Sequence, residues 1–318
     1  MGAIIVKTAI LVMDGNNIAC RAASIVGDEA FLEETGGAMS LGMLDNMLAK
    51  RMREMRTLDG FDKVVPVAAF DAGHAVKTEY DDSKINRWTL FDDYKADRRD
   101  DHTDPVKTQV RLEQSTWRNR WSESLLEQGI AVCQHPGVEA DDLMTFMSNE
   151  LAERTGGDVT TALWTMDKDL MQNVADDEDR RIIMYRKRRG IGEVLVDEAE
   201  VVKEKGVPAG KIRAQLALQG DHADGYDGVK MYGGKRGLNV VNQSDGSFDD
   251  LLDKLMLDEK ARLKNKLSKG EVDWDQFRED VRQQLSQNWE LAGCGVDYMP
   301  SSAIMSARIA VEHALGEL

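Results

Sequence analysis

Cysteine is scarce in this chain: Cys20, Cys133 and Cys294 are three in 318 residues, widely spaced, with no Cys-x-x-Cys pair and no adjacent pair of histidines. An odd, scattered set indicates neither a disulfide framework nor a zinc site, and the three are read as buried thiols. The single histidines are poor ligands as well, and His222 is read as a turn or surface residue. Long apolar runs are missing too. The bursts that begin at Ile10 and Leu151 fall short of the roughly 18 consecutive apolar residues that a membrane-spanning helix requires. The start, Met1-Gly-Ala-Ile-Ile-Val-Lys7, lacks the charged, apolar, small-residue order of a secretory signal, so a cytosolic protein with no membrane partner is expected. No internal repeat and no low-complexity linker is found.

Positive charge is also in short supply: 41 Lys and Arg stand against 57 Asp and Glu, a formal net charge of -16 at pH 7. On its face this argues against nucleic acid, which normally demands a basic footprint. Two considerations weaken the objection. Carboxylates that hold cations give up much of their negative charge to them, and local clusters matter more than the total. One basic cluster exists, Arg180-Arg181 and Arg186-Lys-Arg-Arg189 around the apolar Ile182-Ile-Met-Tyr185, although a solvated basic hairpin is the plainer reading of it.

The length suits about two domains. Ala9 to Met13 reads as a buried strand that must turn at Asp14-Gly15. Leu41, Leu44, Leu48, Met52 and Met55 recur at helical spacing. Val64 to Phe70 is a second strand, in which Pro66 removes a ladder donor and suggests an edge position or a bulge. From Gly73 to Pro105 the composition shifts to charge interrupted by Tyr80, Trp88, Phe91 and Tyr94, an excursion from the core. Helical texture returns through Thr108 to Gln128. Strands follow at Ile130 to Gln134, Thr161 to Thr165 and Ile182 to Tyr185, with a helix carrying Glu139, Asp142 and Phe146 between the first two. Glu193 to Val196 pairs back as a hairpin. Strands that alternate with helices predict an α/β fold with a mostly parallel central sheet flanked by helices. Beyond about Gly246 the chain is helical in texture and shows no identifiable chemistry.

Acids recur just after the apolar runs: Asp14, Asp71, Glu139 with Asp141 and Asp142, and Asp167 with Asp169. In an open α/β sheet such positions gather at the carboxyl edge, where ligands bind. Each acid also has an ordinary reading: Asp14 and Asp167 with Asp169 as turn formers, Asp141 or Asp142 as first-turn helix residues. A further segment, Gly220-Asp-His-Ala-Asp-Gly-Tyr-Asp-Gly-Val-Lys-Met-Tyr-Gly-Gly-Lys-Arg-Gly237, joins Asp221 and Asp224, three apart, to a glycine-rich turn whose amides can approach a phosphate. So many like charges at one edge would repel or raise their own pKa values unless hard cations with oxygen ligands joined them. Two such cations about 4 Å apart stabilise the attacking and leaving oxygens of a displacement at phosphorus.

Six stretches in order resemble the flap endonuclease or 5′-nuclease family, most closely its phage members: Leu11-Val-Met-Asp-Gly-Asn-Asn17, Ala69-Phe-Asp71, Tyr94-Lys-Ala-Asp-Arg98, Gly137-Val-Glu-Ala-Asp-Asp-Leu143, Thr165-Met-Asp-Lys-Asp-Leu-Met-Gln172 and the segment from Gly220 to Gly237. The resemblance implies a PIN-like nuclease core over residues 1–196 with a helical arch at about 74–107. Over 197–318 it implies a helix-three-turn-helix DNA-binding element at about 208–240 and a C-terminal helical region. It implies two Mg2+ ions, with Mn2+ as a substitute, held by Asp14, Asp71, Glu139, Asp141, Asp142, Asp167, Asp169, Asp221 and Asp224. Lys95 and Arg98, on one helical face of the arch, match the cations that orient and stabilise the scissile phosphate, beside the ordinary reading of a solvated face. Tyr94 would stack on an unpaired base. Gly228, Gly233 and Gly234 allow close approach to duplex backbone, and Lys235 and Arg236 supply cations. Elements of this kind in the family often hold a K+ ion as well.

The implied activity is a metal-dependent, structure-specific 5′-nuclease, both 5′-3′ exonuclease and flap endonuclease, that removes primers or flaps in replication. Its partners would be branched or 5′-ended DNA and RNA paired to DNA, in the cytoplasm, or in that of a host if the chain is phage-encoded. Two alternatives stay open: a PIN-type ribonuclease and a non-catalytic junction-binding protein. The chain departs from the family in two places. Asp224-Gly-Tyr-Asp-Gly-Val229 replaces the frequent Asp-Asn-x-Pro-Gly-Val, and the arch carries the acids Asp97, Asp100 and Asp101.

Overall fold

The computed structural model describes residues 6–26, 41–71, 105–188 and 190–318, by backbone alone at 23–26 and 105–114. Tyr94, Lys95, Arg98 and Arg189 lie outside the described residues, as does the expected arch apart from its last three positions. The described residues fall into two compact units, one made of the chain up to Asp197 together with Cys294–Leu318, the other of Glu198–Gly293.

The first unit runs β1 (Thr8–Asp14), α1 (Gly15–Val26), α2 (Leu41–Thr57), β2 (Lys63–Asp71), α3 (Pro105–Glu127), β3 (Ala131–His135), α4 (Ala140–Thr155), β4 (Val159–Trp164), β5 (Ala175–Asp176), β6 (Arg181–Arg188) and β7 (Gly192–Val196). Its sheet has the order β3-β2-β1-β4-β6-β5, with β7 also on β6. The pairs among β3, β2, β1, β4 and β6 are parallel, whereas β5 and β7 run antiparallel to β6. Parallel strands are covered on both faces and therefore read as unbroken apolar runs. Ala9 through Met13 of β1 are all fully buried. Phe70 of β2 meets Trp121 of α3 edge to face, at 5.9 Å between centroids.

Pro66 is not on an edge strand, because β2 lies between β1 and β3. β3 joins only from Val67 onward, so one flank of β2 carries no partner strand at Pro66 and a missing donor is tolerated there. The cysteines are free, but Cys20 is exposed and Cys294 only half-buried, so Cys133 alone is the buried thiol expected of all three. Cys20 sits on an exposed position of α1, where helical turning takes it away from the buried Ile18, Ala19 and Ala22.

The buried positions of α2 are Leu44, Leu48, Met55 and also Arg51, which is 5 % exposed. A guanidinium is tolerated there because it is paired. Arg51 Nη1 lies 3.0 Å from Glu193 Oε2, and the guanidinium stacks on the Tyr185 ring at 4.1 Å. Glu193 of β7 also accepts hydrogen bonds from Arg21 and, at 3.0 Å, from Trp164 Nε1. Burial pushes the Glu193 carboxyl up, but those hydrogen bonds and the two guanidinium charges outweigh it and hold the group below its ordinary value. Glu193→Gln is expected to destabilise the fold by about 3 kcal/mol at pH 7, since the buried Arg51 guanidinium then loses its 3.0 Å partner and keeps the longer pairs to Glu54 and Asp59, at 3.6 Å each. A carboxyl with a lowered folded pKa stabilises above its unfolded value, about 4.3, and loses that contribution as pH falls through the folded one. Urea unfolding should therefore show the penalty at pH 7 and a shrinking one below pH 4; an equal penalty at both would contradict the charge argument.

The second unit runs α5 (Glu198–Lys205), α6 (Ile212–Gln219), β8 (Gly220–Asp221), β9 (Tyr226–Asp227), α7 (Gly234–Gln243), α8 (Phe248–Arg262), α9 (Lys264–Ser268) and α10 (Trp274–Ala292). Asn288 of α10 donates to the carbonyls of Ala217 and Asp227, both at 2.9 Å, and so ties α6 and the β8-β9 turn to one helix. Ser247 and Asp273 cap α8 and α10 by accepting backbone N–H bonds. The last helix, α11 (Ser301–Gly316), belongs to the first unit. Among the described residues no helix is long and apolar enough to cross a membrane.

Candidate metal centre

Parallel register carries the ends of neighbouring strands to one edge. Asp14 stands opposite Ala69 of β2, and Met13 opposite Trp164 of β4, so Asp14, Asp71 and Thr165 emerge together. Asp14 is 7 % exposed. Its Oδ1 accepts the Asn17 N–H at 2.9 Å and its Oδ2 the Thr165 hydroxyl at 3.0 Å. Burial nevertheless pushes its carboxyl up to about 7, with Asp71 and Asp167 adding like charge against the help of the Asn17 and Thr165 hydrogen bonds. Thr165 organises the neighbouring turn as well, since its Oγ1 accepts the Asp167 N–H at 3.0 Å and Asp167 Oδ1 accepts the Asp169 N–H at 2.9 Å.

Asp71 fastens β2 to α4, because its Oδ1 accepts the Ala140 N–H at 2.6 Å. Glu139 is the N-cap residue of α4 in extended conformation, and its side chain does not cap the helix. Asp141 and Asp142 fill the first turn, where the helix dipole favours negative charge. Asp141 Oδ1 accepts the Asp142 N–H at 2.7 Å, and Asp142, 2 % exposed, accepts the Gly295 N–H at 2.9 Å. One carboxylate oxygen from each of Glu139, Asp141 and Asp142 lies within 4.8 Å of the others. The donors are oxygens throughout, with no sulfur or imidazole in the cluster, and this set fits a hard divalent cation.

Asp14, Asp71 and Asp167 are thus electrostatically coupled, Glu139, Asp141 and Asp142 form a second group joined to Asp71 through Ala140, and Asp169 sits on the turn built by Asp167. Thr165 and Gly295 were not singled out in the sequence. Thr165, two residues before Asp167 at the end of an apolar run, was open to that reading. A backbone donor 153 positions away from Asp142 was not.

Asp221 and Asp224 lie in the second unit. Asp221 is 5 % exposed and its Oδ1 accepts the Ala223 N–H at 2.7 Å, while its carbonyl accepts the Asp224 N–H. Gly228 has no room for a side chain, since a Cβ would overlap the Gln219 backbone; its close approach is therefore used within the turn itself. Gly233 and Gly234 are exposed at the start of α7, as are Lys230 and Lys235. Arg236 is already engaged: its Nε and Nη2 lie 2.8 and 2.5 Å from Asp258 Oδ2 and its guanidinium covers the Tyr232 ring at 4.7 Å. Tyr232 in turn hydrogen-bonds Asp258 and Glu259.

The sequence matches the family model for the 5′-3′ exonuclease, N-terminal resolvase-like domain, over residues 9–206. A Bacillus subtilis 5′-3′ exonuclease is 30% identical over 224 residues, which cover 70% of this chain and 69% of that protein. An Aquifex aeolicus 5′-3′ exonuclease is 28% identical over 170 residues, 54% of this chain and 52% of that one, so the match spans about half of the relative's length. Among solved structures, zinc-bound T5 5′-exonuclease is similar with a TM-score of 0.68 at 14% identity, covering 96% of this chain and 99% of that one, a likeness of fold. With more than half of its residues inside the matched domain, the chain belongs to the 5′-3′ exonuclease family.

Proposed function

We propose that the chain is a metal-dependent, structure-specific 5′-nuclease that hydrolyses phosphodiesters in branched or 5′-ended DNA, and in RNA primers paired to DNA, during replication. The observation that carries this reading is the gathering of carboxylates from β1, β2, α4 and the turn after β4 at one edge of the first unit. Relatives named 5′-3′ exonuclease support the reaction class. Bound divalent cations, magnesium in this reading with manganese as a substitute, supply positive charge to the phosphoryl oxygens and lower the pKa of water.

The residues of the chain do the rest. Glu139, Asp141 and Asp142 hold one cation position, and Asp14, Asp71, Asp167 and Asp169 are candidates for a second. Thr165 donates to the Asp14 carboxylate and accepts the backbone N–H of Asp167, and so ties the two positions together. Asp221 and Asp224 remain candidate ligands of the second unit, and a K+ ion there is part of the same proposal. Lys95 and Arg98 orient the scissile phosphate, with Tyr94 stacking on an unpaired base. A cation aimed at developing phosphate charge acts mainly in the transition state. Lys95→Ala should therefore lower the single-turnover cleavage rate far more than flap affinity, and an equal loss in both would make Lys95 a ground-state contact.

Gly228, Gly233, Gly234 and the cations Lys235 and Arg236 are the candidate duplex-binding residues in this proposal. The pairing of Arg236 with Asp258 leaves Lys235 as the better phosphate contact of the two. Lys235→Ala is expected to weaken binding of a 5′-flap duplex in calcium uniformly across base sequences. It should also reduce the slope of log affinity against log salt by about 0.9, the value for one phosphate contact on B-form DNA. Unchanged affinity and slope would remove Lys235 from the interface.

The reading as a whole is tested by incubating a labelled 5′-flap duplex and a plain single-stranded RNA with magnesium or with a chelator. Flap cutting that requires magnesium is the expected result. RNA cutting alone would indicate a PIN-type ribonuclease, and a shifted but uncut flap a junction-binding protein.

A further inference from the structure

One carboxylate at the start of α4, that of Asp142, is contacted by a segment of chain outside the matched residues 9–206. The Gly295 N–H donates to Asp142 Oδ1 at 2.9 Å in a buried bond. Gly295 reaches that position with φ 111 and ψ -147, backbone angles that only glycine adopts readily. A Cβ there would lie 3.0 Å from Thr145 Cγ2. Thr145 is three residues after Asp142 and so on the same face of α4. Its hydroxyl donates to Cys294 Sγ at 3.1 Å and accepts from Asn173 Nδ2 at 2.8 Å. Asn173 ends the short 3-10 helix Asp169–Asn173. Two consecutive residues, Cys294 and Gly295, thus grip α4 at Asp142 and Thr145, and Thr145 passes the link to the turn that begins at Asp169.

Fastening α11 to the first unit would not by itself require a backbone donor on a carboxylate. Buried Ala303, Ala307, Ala310 and Ala314 already give that helix an apolar contact face. A hydrogen bond to Asp142 Oδ1 instead selects one side-chain orientation, the one that brings Asp142 within reach of Glu139 and Asp141.

We infer that Gly295 is a positioning residue for the candidate metal centre: its backbone N–H holds Asp142 in the orientation that completes the Glu139, Asp141, Asp142 cluster, which makes Cys294–Leu318 part of that centre. This rests on the reading of the cluster as cation ligands. Hydrogen bonds that orient metal ligands typically change metal affinity by about 10- to 100-fold when lost.

The test compares Mn2+ binding, followed by the electron paramagnetic resonance of free Mn2+, in the wild-type protein, Asp142→Asn and Gly295→Ala, with circular dichroism to establish folding. Expected are tight binding by the wild type, weaker binding by Asp142→Asn, and a rise of about tenfold or more in the Kd of folded Gly295→Ala. Should Asp142→Asn bind Mn2+ like the wild type, the cluster is not the cation site. If Asp142→Asn binds weakly but folded Gly295→Ala binds normally, the positioning role alone is overturned. If Gly295→Ala does not fold, the amide resonance of Gly295 in the full chain decides. A shift on adding Mg2+ to the wild type that Asp142→Asn abolishes supports the role, and a resonance unmoved in the wild type overturns it.

Discussion

Asp142→Asn and Asp167→Asn are each expected to slow magnesium-dependent cleavage of a 5′-flap substrate about a thousandfold while leaving the fold intact. Asp142 belongs to the compact cluster on α4, and Asp167 adds its charge to Asp14 from the turn after β4. Loss of one carboxylate weakens the hold on a cation that contributes several kcal/mol to the transition state, and about 4 kcal/mol corresponds to three powers of ten in rate. Asp169→Asn should follow the same pattern, because its N–H is bonded to Asp167 and it shares that turn. Single-turnover rates at saturating magnesium, with circular dichroism as the control for folding, make the comparison. Near-wild-type rates for Asp142→Asn and Asp167→Asn would remove both groups from the reaction.

Asp14→Asn should act in the opposite direction on stability. The Asp14 carboxyl is pushed up to about 7 by burial and by the neighbouring Asp71 and Asp167. It therefore binds its proton more tightly in the folded chain than in the unfolded one. That contribution is fully present below about pH 4 and is lost as pH rises through about 7. Three pH units at about 1.4 kcal/mol each amount to roughly 4 kcal/mol. In the presence of a chelator, Asp14→Asn is expected to be more stable than the wild type at pH 8 by a few kcal/mol and nearly equal to it at pH 4. Magnesium should stabilise the wild type at pH 8 and close much of the gap. Urea unfolding at the two pH values, with and without magnesium, measures this. A variant less stable than the wild type in chelator at pH 8 would show that Asp14 is not strained by its neighbours.

Strands and acids were legible because the two signals coincide: Ala9 to Met13 is apolar without interruption, as a strand covered on both faces must be, and Asp14 follows it directly. The same coincidence marks Asp71 after Phe70 and Asp167 after Trp164. Contacts between distant residues left no such trace. Arg51 breaks the apolar stripe of α2, and although Glu54 and Asp59 lie 3.6 Å from its guanidinium, its closest ion pair and its ring contact come from Glu193 and Tyr185, more than 130 residues away. The same limit explains Arg236, which looked available for phosphate until Asp258 appeared beside it. β5, two residues long, is too short for any periodicity to show. The return of Cys294–Leu318 to the first unit has no local signature, since α11 reads as an ordinary helix until its alanine face is seen to be buried.

Crystals grown in the presence of Mn2+ and measured at the manganese absorption edge offer the most direct test of the carboxylate assignment. The expected anomalous difference map has a peak at the start of α4, with Glu139, Asp141 and Asp142 oxygens at coordination distance, and shows carboxylates of Asp14, Asp71 or Asp167 turned toward bound manganese. A map at saturating Mn2+ with no peak at α4, or with its peaks remote from all six carboxylates, would contradict the assignment of this sheet edge as the metal centre.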